Sequence, residues 1–166
     1  MYARAGFAME YNRHMWYRVF GRNSMEATPA AIAERLHAAG LAVEPHFKGD
    51  DLGWTAGELR LPGLNTPVLL ERYLAREDEI RDDLNAYAAI LETCDYSPNH
   101  APLMERVIQT QQLIVIRKPL DAMNEIALEE LLIETCRFLA AETDGVYQID
   151  GQGWFAANGE RLLEEY

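Results

Sequence analysis

Apolar positions along the chain change period several times, and each change marks an element. Met15 to Phe20 (MWYRVF) mixes aromatic and β-branched residues and predicts a strand. Thr28 followed by Pro29 forms an N-cap and first-turn proline, Ile32, Ala33 and Leu36 share a helical face, and Gly40 stops a helix over about 29–39. Leu41, Val43 and Phe47 then alternate with Ala42, Glu44 and His46, predicting a strand that turns at Lys48-Gly49-Asp50-Asp51. Gly53 to Leu61 and Val68 to Leu74 are the next two strands, separated by the turn Pro62-Gly63-Leu64-Asn65. In the middle, Ile80, Leu84, Tyr87 and Leu91 step by four, three and four, one apolar face of a helix with Glu77, Asp78 and Glu79 in its first turn. Ser97, Pro98 and Asn99 supply capping chemistry for a second helical stretch, about Pro102 to Gln111. Leu113-Ile114-Val115-Ile116 is an unbroken apolar run, the signature of a strand buried on both faces. A long helix from about Asn124 to Glu142 carries Leu128, Leu131, Leu132, Thr135, Phe138 and Leu139 on one stripe, with Glu125, Glu129, Glu130 and Glu134 on the wet side. Val146 to Ile149, the hairpin turn Asp150-Gly151, Gly153 to Ala157, the turn Asn158-Gly159 and a last strand, Arg161 to Tyr166, complete the chain.

The two ends share an order of elements: strand, helix, then three meandering strands. Local sequence echoes it. Gly40-Leu41-Ala42-Val43 resembles Gly145-Val146-Tyr147-Gln148, Gly53-Trp54 matches Gly153-Trp154, and Leu69-Leu70-Glu71-Arg72-Tyr73 agrees with Leu162-Leu163-Glu164-Glu165-Tyr166 at four of five positions. The expected fold is α+β, a mostly antiparallel sheet from two βαβββ-like halves, residues 15–75 and 112–166, with helices packed on it. Residues 76–111 form a helical insertion between the halves, 15–166 make a single domain, and 1–14 read as an N-terminal extension. A ferredoxin-like sandwich with an added hairpin fits the same pattern.

Composition narrows the class. The 166 residues are 49% hydrophobic and 25% charged, which is globular usage rather than that of a disordered or fibrous chain. No uncharged apolar stretch reaches 18 residues and no signal-peptide pattern opens the chain, so a soluble, cytoplasmic protein is expected, with no membrane contact. Cys94 and Cys136 lie far apart without a CxxC pattern and read as reduced packing residues. The net charge of −12 repels phosphate backbones and argues against nucleic acid. The acid is unevenly placed: residues 1–74 carry eight basic and eight acidic residues, 75–111 three and eight, 112–166 four and eleven.

Three constellations carry candidate chemistry. His46 with Asp50 and Asp51, across a turn from Trp54, pairs an imidazole with carboxylates suited to acid–base work, although a histidine ending an alternating strand is ordinarily just exposed. Cys94, Tyr96, His100 and Glu105 surround one loop and helix start; Cys94 and His100 suggest thiolate activation only if they meet in space, and Tyr96, His100 and Glu105 are the candidate partner contacts. The paired βαβββ order resembles the vicinal-oxygen-chelate superfamily, the glyoxalase and bleomycin-resistance group. That resemblance implies a divalent-metal site from the first and last strand of each unit, here near His14, Glu71, Gln112 and Glu164, residue types suited to Zn, Mn or Ni. The plainer reading makes Glu71 and Glu164 solvent-facing strand carboxylates. Gly151 and Gly153 lie between strands with no helix opening after them, so they do not form a dinucleotide loop, and Trp16, Trp54 and Trp154 read as core.

The leading expectation is a non-enzymatic binding or regulatory protein whose acidic face meets a basic protein partner, immunity to a cationic toxin being one form. The alternative is a small divalent-metal-dependent enzyme of the vicinal-oxygen-chelate type. A free edge on the last strand would also permit a homodimer.

Overall fold

The structure, a computed structural model, describes residues 16–119 and 125–166. The extension 1–14, with His14, lies outside them. The elements follow in the order β1 (Trp16–Gly21), α1 (Pro29–Ala38), β2 (Glu44–Asp50), β3 (Gly53–Arg60), β4 (Val68–Leu74), α2 (Arg81–Glu92), α3 (His100–Ile108), β5 (Gln112–Arg117), α4 (Glu125–Glu142), β6 (Gly145–Ile149), β7 (Gly153–Ala156) and β8 (Arg161–Glu164). All eight strands form one sheet in the order β2-β3-β4-β5-β1-β6-β7-β8, and every neighbouring pair is antiparallel. The chain is thus α+β, as the hydrophobic pattern implies. Thr28 caps α1 as its sequence predicts, its Oγ1 accepting from the Ala31 N–H at 3.1 Å.

β1 and β5 lie at the centre and are buried on both faces, apart from the exposed Arg117. Alternation sends Tyr17, Val19, Ile114 and Ile116 to one side, where Ile32 and Leu36 of α1 and Leu128, Leu131, Leu132, Cys136 and Leu139 of α4 cover them. Trp16, Phe20, Leu113 and Val115 go to the other side, under Leu84, Ala88 and Leu91 of α2 and Leu103 and Val107 of α3. The molecule therefore has three layers, with one helix pair per face. A fully buried leucine in either layer contributes roughly 1.5–3 kcal/mol.

The two meanders enter the sheet in opposite senses. β4, the last strand of the first, lies beside β5, whereas β6, the first strand of the second, lies beside β1. Leu69–Tyr73 is consequently near the centre and its sequence echo, Leu162–Tyr166, runs along and beyond the edge strand β8. The echoed segments do not occupy equivalent places. Boundaries shift modestly: Leu41 and Val43 are buried ahead of β2 rather than within it, and α3 begins at His100. Asn99 does not cap α3 through its side chain, because its backbone is already helical and its amide is spent elsewhere.

The turn ahead of β3 is held by a buried arginine. Arg72 of β4 is 4% exposed; its Nε donates to Gln112 Oε1 (2.8 Å), Nη1 to the carbonyls of Leu52 (3.0 Å) and Trp54 (3.1 Å), and Nη2 to that of Ser24 (3.2 Å). Gln112 Nε2 in turn donates to the carbonyls of Asn23 and Met25, each at 2.8 Å, so one side-chain pair fastens two irregular segments to the sheet. Burial pulls the guanidinium pKa below its ordinary value, and Glu26 and Asp50 oppose that pull. Gly53, at φ +108°, leaves the space that the Glu26 carboxylate and Arg72 Nη1 fill. Replacing Arg72 with Met strands Gln112 Oε1 and three carbonyls, and is expected to cost about 3 kcal/mol or more. Arg35→Met, which removes only a surface pair to Glu134, costs about 1 kcal/mol or less. Urea denaturation of both variants measures the difference.

Candidate functional site

A cleft of about 390 Å³ opens where α2 and the loop after it meet β6, β7 and the residues following β8. Its floor is aromatic. Phe20 packs on Trp154 at 4.9 Å and on Tyr87 at 5.4 Å between ring centroids, because Phe20, Trp154 and Tyr87 all point to the α2/α3 face. Beside that floor lies Arg18, the one charged side chain in the apolar strand β1 and only 4% exposed. Register places Arg18 opposite Gln148 of β6, and Arg18 Nη1 donates to Gln148 Oε1 at 2.9 Å and to Asp150 Oδ1 at 2.5 Å. Its guanidinium also lies 5.3 Å from the Tyr87 ring centroid.

Two carboxylates share the Gln148 amide: Nε2 donates to Asp150 Oδ1 and to Glu165 Oε1, both at 2.9 Å. Glu165 Oε2 accepts from the Gly151 N–H at 3.3 Å. Burial pushes the Glu165 carboxyl above its ordinary range and Asp150 adds to this, while the Gln148 and Gly151 donors and Arg18 oppose it. Arg18 and Asp150 are a nearly buried pair, with side chains 5% and 14% exposed, so the desolvation of each is offset by the other and by Gln148.

The rim is apolar and open. Ile90 (57% exposed), Tyr96 (52%) and Tyr166 (95%), three of the seven large exposed hydrophobic residues among those described, all line this one cleft. Tyr96 and Tyr166 meet edge to face at 5.3 Å. Tyr96 donates to the Glu164 carbonyl at 2.7 Å, and Asn99 Nδ2 to the Leu162 carbonyl at 2.6 Å, so the loop after α2 is fastened along the outer side of β8. That edge is covered, not free for another strand. A hydrogen bond with the Cys94 thiol, partial desolvation and neighbouring Tyr166 and Glu165 push the Tyr96 phenol up to about 12.

The other sequence candidates separate. His100 Nδ1 bonds the Leu91 carbonyl (3.3 Å) and Cys94 Sγ bonds the Ile90 carbonyl (3.4 Å), so the thiol and imidazole do not partner each other. Glu105 is exposed and accepts from Gln109, one turn along α3. His46 bonds Glu44 (2.7 Å), Asp50 accepts from the Leu52 N–H across the turn (2.9 Å), Asp51 is exposed, and Trp54 turns inward to the Ala27 carbonyl (2.8 Å). These residues form no acid–base group.

Glu71, Gln112 and Glu164, the ligands that the vicinal-oxygen-chelate resemblance implies, are not brought together. Glu71 pairs in register with Val115, and Gln112 is an odd number of residues from Val115, so the two face opposite sides of the sheet. Glu164 lies five strand spacings from β4, on the order of 24 Å. Among the described residues no group of three or more His, Cys, Asp or Glu could hold a metal ion.

Arg18, Gln148, Asp150, Glu165, Ile90 and Tyr166 escaped the sequence reading as site residues. For Arg18 and Gln148 a signal was present, since MWYRVF and GVYQI each carry one polar residue inside an otherwise apolar strand. Cys136 is fully buried and its thiol is pushed well above the ordinary range by desolvation first, then by Glu129, in keeping with a packing role. No helix among the described residues is long and apolar enough to cross a membrane. Comparisons with family models, curated proteins and solved structures find no match.

Because Glu165 has a raised folded-state pKa, the folded protein binds its proton more tightly than the unfolded chain does. Its contribution to stability is therefore present at and below the ordinary carboxylate pKa of ~4.3 and is lost as pH rises through the folded value. Glu165→Gln is expected to abolish that loss, so the difference in stability between variant and parent grows in the variant's favour as pH rises above the ordinary carboxylate value of ~4.3. Urea midpoints across this range test it, and a constant difference contradicts it.

Proposed function

We propose that this is a non-enzymatic binding or regulatory protein, and that the cleft between α2 and β8 receives a basic side chain of a protein partner. The observation carrying this reading is the convergence of Ile90, Tyr96 and Tyr166 on a cleft whose interior holds the Asp150 and Glu165 carboxylates. Aromatic faces with carboxylates behind them suit a Lys or Arg that is desolvated as it enters. Glu92, Asp95 and Glu164 are exposed on α2, its following loop and β8, and extend the negative field around the entrance. Tyrosines of this kind supply large contact areas with few rotatable bonds, the usual anchors of protein interfaces. Protection of a cell against a cationic protein toxin is one task such a surface suits, and a cytoplasmic location fits it. The two halves and the helical insertion also acquire distinct roles here: each half gives one central strand, β1 or β5, while the insertion and the second half supply the acidic rim.

The test is affinity capture from native lysate with the full chain, in parallel with the double variant Tyr96→Ala/Glu164→Lys. The reading expects a basic protein retained by the parent, weakened at least tenfold by the variant, and released as ionic strength rises. A captured protein that the variant holds equally well, or one whose retention ignores salt, overturns it.

A further inference from the structure

A second cleft, of about 640 Å³, lies elsewhere on the same face of the sheet, over β2, β3, β4, β5 and the start of β1. Register explains its lining. One cross-strand row reads Lys48, Ala56, Glu71, Val115, Arg18 and Gln148, and the next reads His46, Glu58, Leu69, Arg117 and Trp16. α2 and α3 cover the β1, β6 and β7 end of this face, and the cleft occupies the other end. It is a surface built by side chains of five strands, whose volume falls in the range of small-molecule sites.

Its charges are unequally committed. Glu58 is paired with Arg60 (3.1 Å), Glu44 with His46 (2.7 Å), and Glu71 accepts from the Tyr73 hydroxyl (2.8 Å). Lys48 and Arg117 have no ion pair among the described residues. Arg117 instead lies 6.0 Å from the Trp16 ring centroid, its register partner on β1. Trp16 is 3% exposed, yet its indole N–H has no acceptor among the described residues. A buried donor left unsatisfied costs about 1–3 kcal/mol, and such groups are rare in folded proteins. Here that donor belongs to a residue lining the cleft, next to a guanidinium that has no ion pair among the described residues.

We infer that this cleft binds a small organic acid, a monoanion with a flat apolar body. Its acid group accepts from the Trp16 indole N–H and from Arg117, while its body lies over Leu69, Val115 and Ala56. The carboxylates of Glu58 and Glu71 border the middle of the cleft and disfavour a second negative group there, which sets the ligand charge at one. Lys48 and His46 stand at the far rim, three strands away, and add attraction at long range rather than direct contact.

The probe is 2-naphthoate, titrated into ¹⁵N-labelled full-length protein while the three tryptophan indole N–H resonances are followed. Trp16→Phe assigns its own signal. The inference expects the Trp16 resonance to shift and saturate, with the Trp54 and Trp154 signals unmoved, and the neutral analogue 2-naphthalenemethanol to bind at least tenfold more weakly. Arg117→Gln is expected to weaken naphthoate at least tenfold while leaving the spectrum of the free protein otherwise unchanged. Equal binding of acid and alcohol, an unaffected Arg117→Gln variant, or no shift of Trp16 each overturns it. Capture of a basic partner at the α2–β8 cleft is read separately, so failure of one result leaves the other standing.

Discussion

An apolar run such as Leu113-Ile114-Val115-Ile116 has no wet side, so it must be covered above, below and along both edges before the fold is complete. That requirement organises the molecule. β1 and β4 flank the run, α1 and α4 cover Ile114 and Ile116, and the α2/α3 side takes Leu113 and Val115, the latter at the border of the larger cleft. None of these partners is β5's neighbour in a hairpin: β4 returns to it only through α2 and α3, and β1 lies near the opposite end of the chain. The central pairing is therefore long-range, and its contacts must offset the entropy of closing the long segments between these strands.

Two arginines show how this sheet tolerates charge in its interior. Arg18 and Arg72 are each 4% exposed, each is bonded to a glutamine, and they lie on opposite faces. Arg72 spends its donors on carbonyls of the irregular chain, which makes it a fastening. Arg18 meets Asp150 at the margin of a cleft, where one side of the network faces solvent. The same local chemistry thus serves rigidity in one place and a receptive surface in the other. The difference is made by what lies beyond the glutamine, closed turns for Gln112 and two carboxylates for Gln148.

Periodicity located nearly every element because each strand and helix buries one recognisable stripe. Thr28-Pro29 and the run at 113–116 behaved as their local physics requires, whereas the Asp150-Gly151 turn takes in Gln152 as a third loop residue, since Ile149 pairs with Gly153. Neighbour order was not legible in the same way, since which strand lies beside β5 depends on contacts between distant segments. For the same reason the metal ligands implied by topology scattered: Glu71 and Gln112 differ in parity relative to Val115, and parity has meaning only once the register is known. Tyr96, a candidate partner contact in the sequence, is 52% exposed, while its bond to the Glu164 carbonyl depends on a strand far along the chain. The buried polar residues were the readable signal passed over, because Arg18, Arg72 and Gln148 sit among apolar neighbours where an unpaired charge or amide would be too costly to keep.

The sheet's two edges are closed by different devices. Along β8 the Leu162 and Glu164 carbonyls are occupied by Asn99 and Tyr96. Along β2, Pro45 lacks an N–H, and the register shifts between Lys48 and Gly49. Among the described residues, neither border presents an uninterrupted row of free main-chain groups, the arrangement that favours pairing with a foreign strand, so the breadth of the sheet is set by how its two ends are finished.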